Sequence, residues 1–201
     1  MVELGWRQMG RPRLRRASLS GDTDDFSLVL AEAQAGEPWA LQQLFAELGP
    51  GVVGYFRTQG VRDADEFANE VFLRTFRRLG DFNGPETAFR SWVFTIAHHL
   101  LVDDRRRKAR APQLVELGAV AEIHGGDAEA DGMHALSEHD IRQLLARLSP
   151  DQRDVIVLRL VADLSIDDVA RTLGKRVGAV KALQRRAVAA LRREISGGAV
   201  S

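Results

Sequence analysis

SIDDVARTLGKRVGAVKALQRRAVAALRR, residues 165–193, is the stretch on which the reading of this chain turns. Ser165 is a helix-capping residue, and Asp168 stands three positions later where a capping box needs its acid. Val169, Ala170 and Leu173 give that first helix its apolar side, and Gly174 supplies the residue that tolerates a sharp turn. Val177, Val180, Leu183, Ala187 and Leu191 then recur at helical spacing as the stripe of a second helix. Between Lys175 and Arg193 there are seven basic residues and no acid. A short capped helix, a glycine turn and a cationic second helix together make a reader of the DNA major groove. Lys181 and Arg185 are four apart and share a face suited to guanine edges, with Gln184 suited to adenine. Arg176, at the turn, is placed for phosphate.

Composition limits what the remainder can be. The 201 residues have room for one large or two small domains, and the formal net charge is zero. That neutrality conceals blocks. Residues 111–136 carry five acids (Glu116, Glu122, Asp127, Glu129, Asp131) and no base, whereas residues 137–201 carry twelve bases against eight acids. Such segregation indicates several different contact surfaces. The absence of cysteine excludes disulfides, thiol nucleophiles and thiolate metal sites, and a cytoplasmic setting fits it. No apolar run approaches the roughly 20 residues that span a bilayer, so no membrane insertion is expected. The basic start of the chain has no hydrophobic stretch behind it, and residues 1–25 read as a disordered, solvated arm.

Apolar residues recur at helical spacing almost throughout, and no run alternates with period two, so the fold class is all-α. A first helix is expected over residues 25–34 and a second from Trp39, interrupted at Gly49-Pro50-Gly51 by a break or kink. Asp63, with Glu66 in capping-box position, is expected to start a helix with Ala68, Val71, Phe72, Thr75, Phe76 and Leu79 on one face and Gly80 at its end. A polar loop over residues 81–85 precedes a long helix from about Glu86 to Arg107, striped by Phe89, Trp92, Val93, Ile96, Leu100 and Leu101. Residues 111–136, rich in Gly and poor in large apolar side chains, read as an acidic flexible linker. Three serine-capped helices follow, led by Ser137, Ser149 and Ser165, with Pro150 at a first helical position. Ile141, Leu144, Leu145, Leu148, Val155, Ile156 and Leu160 are expected to pack this second unit. The organisation is two small helical domains, 26–110 and 137–195, joined by a tether, the second a four-helix-type domain with the helix-turn-helix.

Two further groups carry function. Trp92, Phe94, His98 and His99 precede a basic cluster from Arg105 to Arg110, and aromatic faces beside cations suit an unpaired strand. Trp92 itself lies on the apolar stripe, where a core role is the simpler reading. Adjacent histidines on a helix diverge by about 100°, and no acid or further histidine at ligand spacing joins them, so no metal site and no cofactor is expected. The back of the helix from Asp63 carries Asp65, Glu66, Asn69, Glu70 and Arg74, which by residue type alone is a solvated face.

The strings DADEFANEVFLR (63–74) and FRSWVFTIAH (89–98), with the basic exit of that helix, resemble the promoter-melting domain of bacterial sigma factors. LSPDQRDVIVLR (148–159) followed by the helix-turn-helix resembles their second DNA-binding domain. With no domain between, the pattern resembles the extracytoplasmic-function (ECF) group. The resemblance implies a sigma factor that directs core RNA polymerase to promoters and assists melting, with no catalysis of its own. It implies that Asp63, Asp65, Glu66, Asn69, Glu70 and Arg74 dock on core polymerase. It implies that Asn83, Arg90, His98, His99, Arg105, Arg106 and Arg107 meet the melted −10 element, and that Arg176, Lys181, Gln184, Arg185 and Arg186 read the duplex −35 element. An anti-sigma factor is a further implied partner. Asn69 stands where the family commonly has Gln, and Ala182 and Leu183 replace residues able to contact bases. A helix-turn-helix regulator acting without polymerase, or a helical protein that sequesters another regulator, are the alternatives the residues leave open; nothing resembles an enzyme's phosphate loop, metal set or activated nucleophile.

Overall fold

The computed structural model describes residues 23–110 and 138–198, and among these every regular element is helical. In the first module, α1 (Thr23–Gln34) and α2 (Pro38–Thr58) lead into α3 (Ala64–Arg77), a 3₁₀ turn (Leu79–Asp81) and α4 (Glu86–Arg110). In the second, α5 (Glu138–Ala146), α6 (Pro150–Leu160), α7 (Ile166–Leu173) and α8 (Val177–Gly198) follow. Among the described residues no helix is long and apolar enough to cross a membrane. The N-terminal arm, the acidic linker and the Ser137 cap lie outside the described residues.

The first module is built around aromatic side chains. Phe26, Tyr55, Phe56, Phe89 and Phe94 are all essentially fully buried. They meet in tilted or edge-on pairs, Phe26 with Phe89 at 5.8 Å and Tyr55 with Phe94 at 6.0 Å, the arrangement that ring quadrupoles favour. Pro50 lies inside α2 and does not break it. A proline there removes a helical hydrogen bond, but α2 packs on α1, α3 and α4, and burial of Leu44, Leu48, Val52, Tyr55 and Phe56 holds both halves in one helix. The expected interruption at residues 49–51 is therefore corrected: tertiary packing overrides the local signal.

Other local expectations change in detail. The Asp63 side chain makes no capping hydrogen bond, so α3 begins without the capping box its sequence offers. Gly80 does not end α3, which stops at Arg77; Gly80 sits in the 3₁₀ turn beyond it. Ile141 and Leu160, expected to pack the second module, are exposed. α4 runs to Arg110 and is buried well beyond its expected stripe, at Phe94, Ala97, His98 and Asp104 as well.

The second module follows its caps closely. Ser149 and Gln152 form a complete capping box on α6, with Pro150 in the first turn. Ser165 Oγ accepts the Asp168 backbone N–H at 3.1 Å, and Gly174 ends α7 at φ +61°. That left-handed conformation costs a residue with a Cβ about 1–2 kcal/mol. Gly174→Ala is therefore expected to lower stability by about 1–2 kcal/mol, and Ser165→Ala by about 1 kcal/mol, both measured by urea unfolding. Wild-type stability in Gly174→Ala would contradict the left-handed turn.

Candidate nucleic-acid and polymerase interfaces

In the helix-turn-helix, Val169, Ala170, Val180 and Ala187 are buried, which fixes α7 against α8. The Lys175 backbone N–H donates to Ala170 O at 2.9 Å, closing the turn, and the Lys175 ammonium reaches the Asp151 carboxylate at 2.9 Å. Lys175 thus ties the turn to α6. Arg176, Lys181, Arg185 and Arg186 are exposed and Gln184 is half-buried. Among the described residues none of these cations has a carboxylate partner, so their charge is directed outward. Behind them a groove of about 880 Å³ is lined by Arg147, Gln152, Gln184, Arg185, Arg192 and Arg193. A row of unneutralised guanidinium groups on a helix is matched to phosphate and to base edges.

The entry to α4 is set by Gln34, whose amide donates to Leu79 O at 2.9 Å and to Phe82 O at 2.7 Å. This pins the loop that carries Asn83, which is exposed. Phe82 stacks on Trp92 with ring centroids 5.3 Å apart and planes 10° from parallel, and meets Phe89 edge-on. Trp92 is only partly buried, so it belongs to the core and to the rim of this loop at once. Arg90 is held by Glu86 at 3.0 Å, an i,i+4 pair along the helix.

Further along α4 the expected residues separate into two groups. His99, Arg106 and Arg107 are exposed. His99 opens on a cleft of about 290 Å³ with Arg74, Arg77, Arg78 and Ile96. Arg77 and Arg78 escaped the sequence reading, although three arginines within one turn of each other at the end of α3 would have marked them. His98 faces the other way. It is 8% exposed, and its Nδ1 lies 3.1 Å from the Tyr55 hydroxyl. The expectation that His98 meets DNA is not met in this arrangement, because its ring is part of the interior. Arg105 is committed as well: it donates to Gln59 Oε1 at 2.7 Å and reaches Asp154 at 3.4 Å.

Burial lowers the His98 pKa from its ordinary 6.5, a shift opposed by Asp154 and reinforced by His99, Arg105 and Lys175. Burial first, then Asp154, raises the Tyr55 hydroxyl well above its usual value. Both groups are therefore kept neutral.

On α3, Asp63, Asp65, Glu66, Asn69 and Arg74 are exposed and Glu70 is half-buried. Asp65 pairs with Arg57 at 3.3 Å, and Glu70 with Arg74 at 2.6 Å. Leu73, 50% exposed, lies four residues after Asn69 and puts an apolar side chain in the middle of this charged face.

Residues 44–111 match the family model Sigma-70 region 2, and residues 138–191 match Sigma-70, region 4. The ECF RNA polymerase sigma factor BldN of Streptomyces coelicolor is 32% identical over 183 residues, which cover 89% of this chain and 69% of that protein. The ECF RNA polymerase sigma factor SigD of Mycobacterium tuberculosis is 30% identical over 186 residues, covering 89% and 87%. The chain belongs to the ECF sigma factors of RNA polymerase. Two solved structures share its fold. CnrH in complex with the cytosolic domain of CnrY superimposes with a TM-score of 0.61 at 24% identity, over 88% of this chain and 99% of that one. The sigma factor RpoE of Bartonella quintana, in complex with the anti-sigma factor NepR, gives 0.58 at 19%, over 86% and 95%. Membership in this family sets aside the reading as a regulator that works without polymerase.

The buried histidine gives this sigma factor a definite pH response. A folded-state pKa below 6.5 means that the unfolded chain binds the proton first, so His98 contributes stability above about pH 6.5 that is lost as pH falls through its folded value. The groups facing it are Tyr55 on α2, Asp154 on α6, Lys175 at the turn, and its own neighbours His99 and Arg105. The melting temperature is expected to fall between pH 7 and pH 5.5, and to fall less in His98→Gln. Parallel pH profiles for the two proteins would refute this assignment.

Proposed function

We propose that this sigma factor holds a two-part promoter on two separate surfaces while α3 rides on core RNA polymerase. The observation that carries the reading is the outward, unneutralised row of Lys181 and Arg185 on a capped and turned helix-turn-helix, in a chain of the sigma family. Arg176, Lys181, Gln184, Arg185 and Arg186 read the −35 element as duplex. Asn83, with Arg90 and the Phe82–Trp92 stack behind the loop, receives a base turned out of the −10 element, and His99, Arg106 and Arg107 follow the strand. Each stacking contact with an unpaired base contributes about 1–3 kcal/mol, which drives melting without covalent chemistry by the sigma factor itself. Asp63, Asp65, Glu66, Asn69, Glu70 and Arg74, around Leu73, dock on core polymerase, where the charged rim favours fast and oriented association. The acting units are residues 26–110 and 137–195, and residues 111–136 tether them.

An anti-sigma factor that covers the polymerase- or DNA-binding faces completes the proposal. Its support is that RpoE of Bartonella quintana was solved with the anti-sigma factor NepR. The protein works in the cytoplasm, where promoter and polymerase are.

Run-off transcription with purified core polymerase tests the proposal: the chain alone should confer initiation at a defined promoter. Lys181→Ala and Arg185→Ala are each expected to weaken −35 binding by about 5- to 150-fold if they pair with bases. If they hold phosphate instead, the slope of log affinity against log salt should fall by about one per residue. A footprint and output unchanged in the double variant would remove both from the interface.

A further inference from the structure

We propose that Gln34 is a positioning residue for base capture: its amide, at the end of α1, fixes the Phe82–Asn83 peptide and so keeps the loop before α4 in the form that receives an unpaired base. The inference rests on the −10 reading above and adds what holds that surface ready.

Gln34 closes α1, and the chain turns away just after it at Gly36, whose φ of +90° suits glycine. Its side chain reaches residues that lie 45 and 48 places further on. Both partners, Leu79 O and Phe82 O, are carbonyls, so the amide nitrogen must face them, with one hydrogen for each. Leu79 O also accepts the Phe82 N–H at 3.0 Å, so the 3₁₀ turn and the brace share an atom.

Phe82 O and the Asn83 N–H belong to one planar peptide unit and point in opposite directions. Drawing the carbonyl toward α1 therefore aims the Asn83 N–H away from it, and no backbone acceptor among the described residues takes that hydrogen. The Phe82 ring is held separately, stacked on Trp92 and edge-on to Phe89. A Cβ at Gly84 would lie 3.4 Å from Phe82 Cζ, so the chain beyond Asn83 folds closely over the same ring. Asn83 is left exposed between two anchored neighbours.

The brace is not what holds α1 in place. Phe26, Val29, Leu30 and Ala33 bury that helix, and Phe26 packs on Phe89. Gln34 is itself exposed, so removing its amide opens no cavity in the core. The loop depends on it more. Between the Phe82 N–H and the start of α4, no backbone hydrogen bond among the described residues orders the chain. Apparent affinity for a ligand falls in proportion to the fraction of molecules in the competent form. One or two net hydrogen bonds change such a fraction by about tenfold.

The test uses holoenzyme assembled from the full-length chain and core polymerase. The DNA is a promoter fork with a fluorescent adenine analogue at successive positions of the unpaired −10 strand, which brightens when a base leaves the stack. Gln34→Met keeps the length of the side chain and removes both donors, whereas Gln34→Lys restores donors. Gln34→Met is expected to need about tenfold more DNA for the same signal, with duplex −35 affinity and melting temperature as in wild type. Gln34→Lys should recover base capture at low and high salt alike, because donors and not bulk charge are what it supplies. Base capture of wild-type strength in Gln34→Met would overturn the proposal. So would a parallel loss of −35 affinity and melting temperature, which would make Gln34 a structural residue only. A wild-type holoenzyme that captures no base would strike the −10 reading instead. Deuterium uptake over residues 79–85 of the free chain, expected to be faster in Gln34→Met, would still decide whether Gln34 holds the loop, and equal uptake would refute the brace.

Discussion

Helix α4 is a wall shared by the two halves of the molecule, and most of the structure depends on its being dry on both sides. One side carries Phe89, Val93, Leu100 and Leu101 into the aromatic core with α1, α2 and α3. Another side carries Thr95 and Arg105 to α7 and α6 of the second module. A helix buried this far round has few positions left for contact with a ligand. That constraint sorts its polar residues. His98 and Asp104 are drawn inside, while His99, Arg106 and Arg107 remain at the surface.

The same constraint relates stability to availability. Burying His98 requires a neutral ring with a polar neighbour, and Tyr55 is that neighbour. Burying Asp154 requires a cation and a donor, which the first module provides through Arg105 and Gln59. The recognition helix α8 makes no such demand: Val180 and Ala187 are buried beneath it, and its cations face outward. One module is therefore complete in itself on its reading face, while the other shares a polar surface with its neighbour.

Legibility in the sequence followed the range of the interactions. Caps and turns act over three or four residues, and Ser149, Ser165 and Gly174 behave as their neighbours require. Asp63 shows the limit, since a matching pattern there produces no capping bond. Pro50 and Leu160 show it in opposite directions: packing keeps a helix whole through a proline, and leaves a leucine of helical spacing in solvent. Arg77 and Arg78 were readable in principle from their spacing after Arg74, and Leu73 from its place among charges.

From residue order alone came the all-helical class, the helix-turn-helix with its cationic row and the sigma-family pattern. All of these rest on periodicity, caps and strings of contiguous residues, where cause and effect lie within a turn or two of helix. What only the tertiary structure decided is which members of a promising row remain available. The partners of Asp154, Arg105 and Thr95 lie 46 to 95 residues away, and nothing local marks a carboxylate that will lose its water to a side chain so distant along the chain.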